Sequence, residues 1–368
     1  MRILTAVLVL FAATLSVRAD QPLLDNTVEF TGQIFFLDSK VPGLVIGVIR
    51  DGETAVYGFG EIAKGSGRAP DAGTRIGVGS ITKTLTGLAL AHLAADGTVG
   101  LTDPASKWNA DLNGLPDHEG REIRLIDIVT HSGGLQRDLF PVENRDGGDT
   151  RTFPANLDSL PLLYAPGTGV LYSNVGFDVL ALALEGAAQQ PYTAYLRERV
   201  LDPLGMQNTG YGRPEGANTM TGYDWNGDEM KPPAPAPNRY GASRIYTTAE
   251  DMLRYLAWNL DRFGEEGREA RLLSHAAWLK RDGLAPVYGM DESGHMDAIG
   301  LGWVVMMPEG DRPLILQKAG GADGVFSYLA FAPSRNVGVF IAINQFNFAA
   351  GMEMAHVVNE LIATLAPR

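Results

Sequence analysis

The 368-residue chain contains no cysteine, which excludes disulfides, a thiolate nucleophile, a cysteine-ligated metal and a lipoprotein-type acyl anchor. Its six histidines form no H-E-x-x-H, so a zinc hydrolase of that kind is not expected. There is no G-x-S-x-G serine elbow; His131-Ser132-Gly133-Gly134 holds only its second half, and His131 reads as a structural loop residue. Asp224-Trp225-Asn226-Gly227-Asp228 lacks the glycine at position six and the terminal glutamate of a calcium loop. No glycine loop of the phosphate-cradling type stands out, and no metal or cofactor is expected. Positive charge is also scarce. The 30 Lys and Arg face 43 Asp and Glu, a balance that disfavours nucleic acid and anionic lipid as partners.

Long apolar runs are limited to the first residues. Met1-Arg2 opens a stretch that stays apolar to about Val17 and closes on Arg18-Ala19-Asp20. One basic residue, a short apolar core and small residues at a cut site describe a secretory signal peptide, 1–19, cleaved after Ala19. The run falls short of the ~20 residues that span a bilayer, so no stable membrane anchor is expected. Cleavage removes Arg2 and Arg18 and no acid, taking the formal net charge from −13 to −15. The mature chain, 20–368, is long enough to build a core without disulfide staples.

Strand signals gather at both ends. Leu44–Ile49 and Thr54–Phe59 flank Asp51-Gly52, a hairpin turn pair. Leu314–Lys318, Val325–Phe331 and Val337–Asn344 read as further strands, with turns at Gly320–Gly324 and Pro333–Asn336, and Met352–Leu365 as a helical tail. Between them helices are expected at Ser80–Ala95, Phe177–Ala188 and Tyr192–Val200, and from Thr248, a capping residue, to about Leu260. The proline-rich stretch 231–237 must be extended. The expectation is an α+β fold: an antiparallel sheet flanked by helices, built from about 20–80 and 240–368, with a mainly helical lobe of about 81–239 inserted.

Three short motifs carry the chemistry. They are Ser80-Ile81-Thr82-Lys83, Tyr172-Ser173-Asn174 and Lys318-Ala319-Gly320-Gly321, in patterns S-x-x-K, Y-x-N and K-x-G. On a helix, Lys83 lies one turn after Ser80 on the same face, so an amine meets a hydroxyl. A serine needs an adjacent base to become a nucleophile, and lysine serves only when neutral. Burial, the helix N-terminus and a second cation, Lys318, all push it that way. The same positive field would draw the Tyr172 phenol toward phenolate, making it a second candidate base and a proton donor to the leaving group. Asn174 can orient Lys83 and bind a substrate amide. The paired glycines leave a strand edge open to substrate. Each motif alone has a plainer explanation: an N-cap, a turn, an edge charge.

Together, the triplet resembles the serine β-lactamase-like family, in its branch of class C β-lactamases and low-molecular-weight penicillin-binding proteins. The run through Thr130-His131-Ser132-Gly133-Gly134-Leu135, Ala165-Pro166-Gly167, Pro203-Leu204-Gly205-Met206 and Tyr246–Met252 extend the likeness to essentially the whole mature chain. Gln21–Asn26, Gly289-Met290-Asp291 and Gly300–Trp303 are similar, more narrowly, to periplasmic AmpH-type DD-carboxypeptidase/endopeptidases. The resemblance implies Ser80 as nucleophile, Lys83 as proton acceptor and Tyr172 as partner base or acid. It implies Asn174, Lys318, Gly320 and Gly321 in substrate binding, and the N–H groups of Ser80 and Gly321 as an oxyanion hole. Peptidoglycan stem peptides and covalently bound β-lactams are the implied partners. A class C-like β-lactamase or a small-ester hydrolase are the alternatives, and a non-catalytic sensor ranks last. Ala319 departs from the family pattern, which has threonine there and uses its hydroxyl to grip a carboxylate.

Overall fold

The computed structural model describes residues 21–138, 157, 160–216, 218–231 and 239–367. The expected signal segment, 1–19, and nearly all of the proline-rich stretch lie outside them. An eight-stranded sheet runs in the order β2-β1-β13-β12-β11-β10-β9-β7. Its strands are β1 (Gly43–Arg50), β2 (Glu53–Gly60), β7 (Leu279–Lys280), β9 (Ala298–Ile299), β10 (Val304–Met306), β11 (Ile315–Ala322), β12 (Val325–Ala332) and β13 (Val337–Ile343). A smaller sheet orders β3 (Ile76–Gly77), β6 (Ile245–Thr247) and β5 (Gly210–Tyr211), and β4 (Val170–Leu171) pairs in parallel with β8 (Val287–Tyr288). The helices are α1 (Gln21–Ser39), α2 (Thr82–Ala95), α3 (Leu125–Val129), α4 (Asn174–Ala188), α5 (Tyr192–Leu196), α6 (Ala249–Leu260), α7 (Arg268–His275) and α8 (Phe348–Leu365). The architecture is α+β, an antiparallel sheet flanked by helices.

Local chemistry sets the hairpins. Asp51 and Gly52 both take positive φ, +50° and +85°, as a two-residue primed turn requires, and Arg50 pairs with Glu53 across it. Asp323 and Gly324 repeat the device between β11 and β12, at +52° and +83°. β1 then pairs with β13, Leu44 opposite Ile343, so the two ends of the chain share one sheet.

Strand side chains alternate between two cores. Leu44, Ile46 and Val48 of β1 join Val339 and Ile341 of β13 against α1 and α8, through Leu24, Val28, Phe35, Met354, Val358 and Ile362. Val45 and Ile49 face the other way, with Leu329, Phe331 and Phe340, toward Leu85 of α2 and Leu253 and Leu256 of α6. α2 is buried on every side from Thr82 to Ala91, not on one face alone, because it is packed between α7, α4 and α5. At Gly87 an added Cβ would stand 2.0 Å from the Leu301 carbonyl, so only glycine lets the chain after β9 approach this helix. The candidate nucleophile therefore rides on a helix clamped from several sides. Among the described residues, no helix is long and apolar enough to cross a membrane.

Candidate active site

Ser80 sits where β3 gives way to α2, in a 3-10 turn, Gly79–Ile81. Two bonds tie down the residue before that turn: Val78 N–H donates to Ile245 O at 3.0 Å, and Ser327 Oγ donates to Val78 O at 3.2 Å. Gly79 has φ +49°, and a Cβ there would meet the Gly321 backbone at 2.5–2.7 Å. The turn bearing Ser80 thus lies against the edge of β11.

Lys83, one helical turn on, is fully buried. Its Nζ stands 3.2 Å from Ser80 Oγ, 2.7 Å from Asn174 Oδ1 and 2.8 Å from the Ala242 carbonyl. The last two are acceptors only. In the neutral amine they engage both N–H groups and leave the lone pair facing the serine. Burial holds the Lys83 amine well below the usual lysine range, and the Lys318 charge lowers it further; Asp178 and Asp138 pull the other way. Asp178 also accepts from Ala242 N–H at 3.3 Å and pairs with Arg239, fixing the carbonyl that Lys83 uses.

Tyr172-Ser173-Asn174 straddles the start of α4. Ser173 is its N-cap, with Oγ accepting from Gly176 N–H at 2.9 Å; Tyr172 precedes it and Asn174 opens the first turn. This places the phenol and the amide side by side. The Tyr172 hydroxyl donates to Ser80 Oγ at 2.5 Å. Three basic groups surround its ring: the Lys83 amine at 4.7 Å, Lys318 at 4.8 Å and Arg137 at 5.0 Å from the centroid. Burial nevertheless pushes the phenol up, outweighing the Ser80 hydrogen bond and Arg137. The expectation of a phenolate is corrected: Tyr172 is a neutral donor in this state.

His131 stacks on Tyr172 at 4.7 Å and accepts from Ser173 N–H through Nδ1 at 3.0 Å. Burial keeps the imidazole neutral, with the Lys318 and Arg137 charges adding to the effect. It remains a loop residue, but one whose ring supports the phenol.

The third motif departs from its expected geometry. Gly320 and Gly321 do not begin a turn; they continue β11, opposite Ser327 and Phe326, and the reversal is confined to Asp323-Gly324. Tertiary packing overrides the glycine turn signal here. A Cβ on Gly320 would stand 2.0 Å from Val78 O and 3.1 Å from Ser80 N, so the strand is extended and bare in order to lie against the serine turn. Lys318 is buried. Burial lowers its amine to about 8, with Glu292 opposing and Arg137 assisting. Between about pH 8 and the unfolded value of 10.5 the unfolded chain binds more protons at this site, so stability rises with pH across that window. Below about pH 8 the lysine is charged in both states and the full penalty, on the order of 3 kcal/mol, persists. Lys318→Met is expected to gain more in Tm at pH 7 than at pH 10. Parallel melting curves for the two proteins across that range would contradict this.

Sequence reasoning missed Arg137, Asp138 and Ala242. Asn174 Nδ2 donates to Asp138 Oδ1 at 2.8 Å, which fixes the amide so that Oδ1 faces Lys83. The Arg137 carbonyl accepts from Asn174 N–H at 2.8 Å. Asp138 and Arg137 belong to no motif with a spacing rule, and Ala242 acts through its backbone, so none carried a signal. Asp224-Trp225-Asn226-Gly227-Asp228 forms a turn closed on Asp224 Oδ1 by the N–H groups of Asn226 and Asp228.

Residues 22–363 match the family described as Beta-lactamase. The chain belongs to the beta-lactamase family. Membership implies a serine-hydrolase mechanism. Within the beta-lactamase family the chain is 31% identical over 377 residues to the D-alanyl-D-alanine-carboxypeptidase/endopeptidase AmpH of Escherichia coli K12, covering 97% of this chain and 95% of that protein. It is 25% identical over 360 residues to a Beta-lactamase of Pseudomonas fluorescens, covering 91% and 97%. The solved structure of a Beta-lactamase/D-alanine Carboxypeptidase from Yersinia pestis, complexed with citrate, superposes with a TM-score of 0.81 at 29% identity, over 94% of this chain and 99% of that one. A class C beta-lactamase structure shares the fold at a TM-score of 0.80 and 20% identity, over 95% and 99%.

Proposed function

We propose that this protein is a periplasmic serine hydrolase that cleaves D-Ala-D-Ala-type peptide bonds of peptidoglycan, as carboxypeptidase or endopeptidase, through an acyl-enzyme on Ser80. The observation that carries the reading is one oxygen shared between two groups of opposite use. Ser80 Oγ lies 3.2 Å from a buried amine and accepts, at 2.5 Å, from a neutral phenol.

Lys83 takes the Ser80 proton as Oγ attacks the scissile carbonyl. The developing oxyanion is received by the N–H groups of Ser80 and Gly321, whose backbones meet at the Gly79 contact; each donor is worth roughly 3–4 kcal/mol in comparable sites. Tyr172, released from Ser80 Oγ by the new C–O bond, gives its proton to the leaving nitrogen, and the Lys83 ammonium replaces it. The amine thus leaves with the phenol's proton, and the proton taken from Ser80 restores the phenol through Lys83. Water then attacks the ester with the same groups acting in reverse. Asn174 holds Lys83 and offers an amide to the substrate, while Lys318 and Gly320 line the β11 edge where the peptide lies. Penicillins acylate the same serine.

A class C-like β-lactamase or an ester hydrolase would use the same machinery, and Ala319 bears on the choice. Losing the usual hydroxyl removes about 1–3 kcal/mol of carboxylate recognition, which disfavours efficient β-lactam turnover and a strict requirement for a C-terminal carboxylate. It therefore favours endopeptidase or esterase action beside carboxypeptidase action. The test offers the purified mature protein a D-Ala-D-Ala pentapeptide, cross-linked muropeptides and benzylpenicillin. D-Ala release or cross-link cleavage, with slow penicillin turnover, is expected. Rapid penicillin hydrolysis with untouched peptides would overturn the reading.

A further inference from the structure

Ala319 removes the hydroxyl next to Lys318, yet the entrance to the site carries another cation that no motif marks. Arg137 lies in the segment that docks on the N-terminus of α4: Ser173 Oγ donates to Gln136 O at 2.7 Å, and the Arg137 carbonyl accepts from Asn174 N–H at 2.8 Å. Its backbone is therefore held by the helix that positions Tyr172 and Asn174, while its side chain is about half exposed. The guanidinium carbon stands 5.0 Å from the Tyr172 ring centroid, the same ring that Lys318 Nζ approaches to 4.8 Å. The glycine at 289 keeps the space beside both open; a Cβ there would be 3.1 Å from Tyr172 Cβ and 3.6 Å from Arg137 Nη1.

Among the described residues this guanidinium makes one ion pair, to Asp138, and that pair holds it loosely; Glu292 acts on Lys318 and Tyr172 from the same neighbourhood. Arg137 Nε is 3.6 Å from Asp138 Oδ2, beyond hydrogen-bond distance, while Asp138 Oδ1 is committed to Asn174. Among the described residues the terminal amino groups of Arg137 make no hydrogen bond. A planar, permanently charged fork beside the acylation site, with both outer nitrogens unspent, suits bidentate capture of a carboxylate.

We propose that Arg137 is a specificity-determining residue that recognises a carboxylate on the leaving-group side of the scissile bond, taking over with a guanidinium what Ala319 lacks. This rests on Ser80 being the acylated serine. A substrate carboxylate between Arg137 and Lys318 would meet two cations that each stand about 5 Å from the ring of the phenol that protonates the leaving group. Recognition and proton delivery would then share one edge of the site.

The test uses a matched pair of acylglycyl thioesters whose leaving group ends in a carboxylate or in a carboxamide. Such thioesters are reactive acyl donors, so their turnover does not depend on the protein accepting D-Ala-D-Ala peptides. The readout is the ratio of kcat/KM for the two, which is independent of the fraction of correctly folded enzyme. The wild type is expected to favour the carboxylate at least about tenfold, and Arg137→Gln to reduce that ratio by roughly ten- to thirtyfold. Arg137→Lys should keep part of it, and adding Ala319→Thr to Arg137→Gln should restore part. A purely structural role would lower both rates together and leave the ratio unchanged; a ratio within about twofold of wild type in Arg137→Gln overturns the proposal. Thioester turnover with intact D-Ala-D-Ala peptides would count against the peptidase reading alone. No turnover of either thioester contradicts both.

Discussion

Lys83→Met is expected to slow acylation by at least about a hundredfold while leaving the fold as stable as before or more so. Methionine matches the lysine stem in length, and α2 is buried all round at this position, so the side chain has an apolar bed to fill. What disappears is the base. General-base catalysis contributes typically 10²–10⁴-fold, and the rate of covalent labelling by penicillin should fall by about that factor. Stability moves the other way, because the variant no longer holds an amine that burial keeps well below its ordinary range. Because the unfolded lysine keeps its proton up to its ordinary pKa of 10.5, the wild-type penalty is largest at low pH. The Tm gain should therefore grow as pH falls. Part of that gain is offset, since Asn174 Oδ1 and the Ala242 carbonyl lose their shared donor. Penicillin labelling within tenfold of the wild-type rate would remove Lys83 from the role of base.

Ser80→Ala is expected to eliminate both hydrolysis and covalent labelling, with at least a thousandfold loss in kcat/KM. The substitution deletes one oxygen, and the Tyr172 hydroxyl gives up its hydrogen bond to it, at a cost of about 1 kcal/mol. Lys83 keeps two acceptors, and the fold around the turn is set by the Val78, Gly79 and Gly320 backbone contacts, not by the hydroxyl. Circular dichroism and Tm should match the wild type closely. Because the serine and its base act as a unit, the Ser80→Ala/Lys83→Met double variant should be no less active than Ser80→Ala alone. Additive losses would mean that the two residues serve separate steps.

Much of the fold was legible because its signals are local. The two positive-φ pairs at Asp51-Gly52 and Asp323-Gly324 need residues that tolerate the left-handed region, and the strands beside them alternate cleanly between the two cores. Thr248 caps α6 through Oγ1, accepting from Asp251 N–H at 3.1 Å, and Asn347 caps a tail helix that starts at Phe348, four residues before its expected first residue. Helix α1 gave no such signal. It exposes Leu23, Phe30, Ile34 and Leu37 while burying Leu24, Val28 and Phe35, so its apolar residues do not fall on one side and the periodicity is blurred. Gly320 and Gly321 look like turn residues in one dimension, and only the opposing Val78–Gly79 backbone explains them as strand.

The motif side chains were legible for a different reason: their spacing along a helix and across a cap brings Ser80, Lys83, Tyr172 and Asn174 together. Their protonation states were not. Nearby basic groups argue for phenolate at Tyr172, but burial of the phenol raises its pKa by more than the Ser80 hydrogen bond and the Arg137 charge lower it, and Glu292 and Asp138 add to the rise. Asp138 and the Ala242 carbonyl, which fix the Asn174 amide and the Lys83 amine, emerge only from tertiary contacts.

The most direct measurement is peptide mapping by mass spectrometry of the mature protein after a brief exposure to benzylpenicillin. The account predicts one penicilloyl group, on the peptide containing Ser80, absent from Ser80→Ala. An adduct on any other residue, or a protein that turns over D-Ala-terminated peptides without ever carrying an acyl group on Ser80, would contradict it.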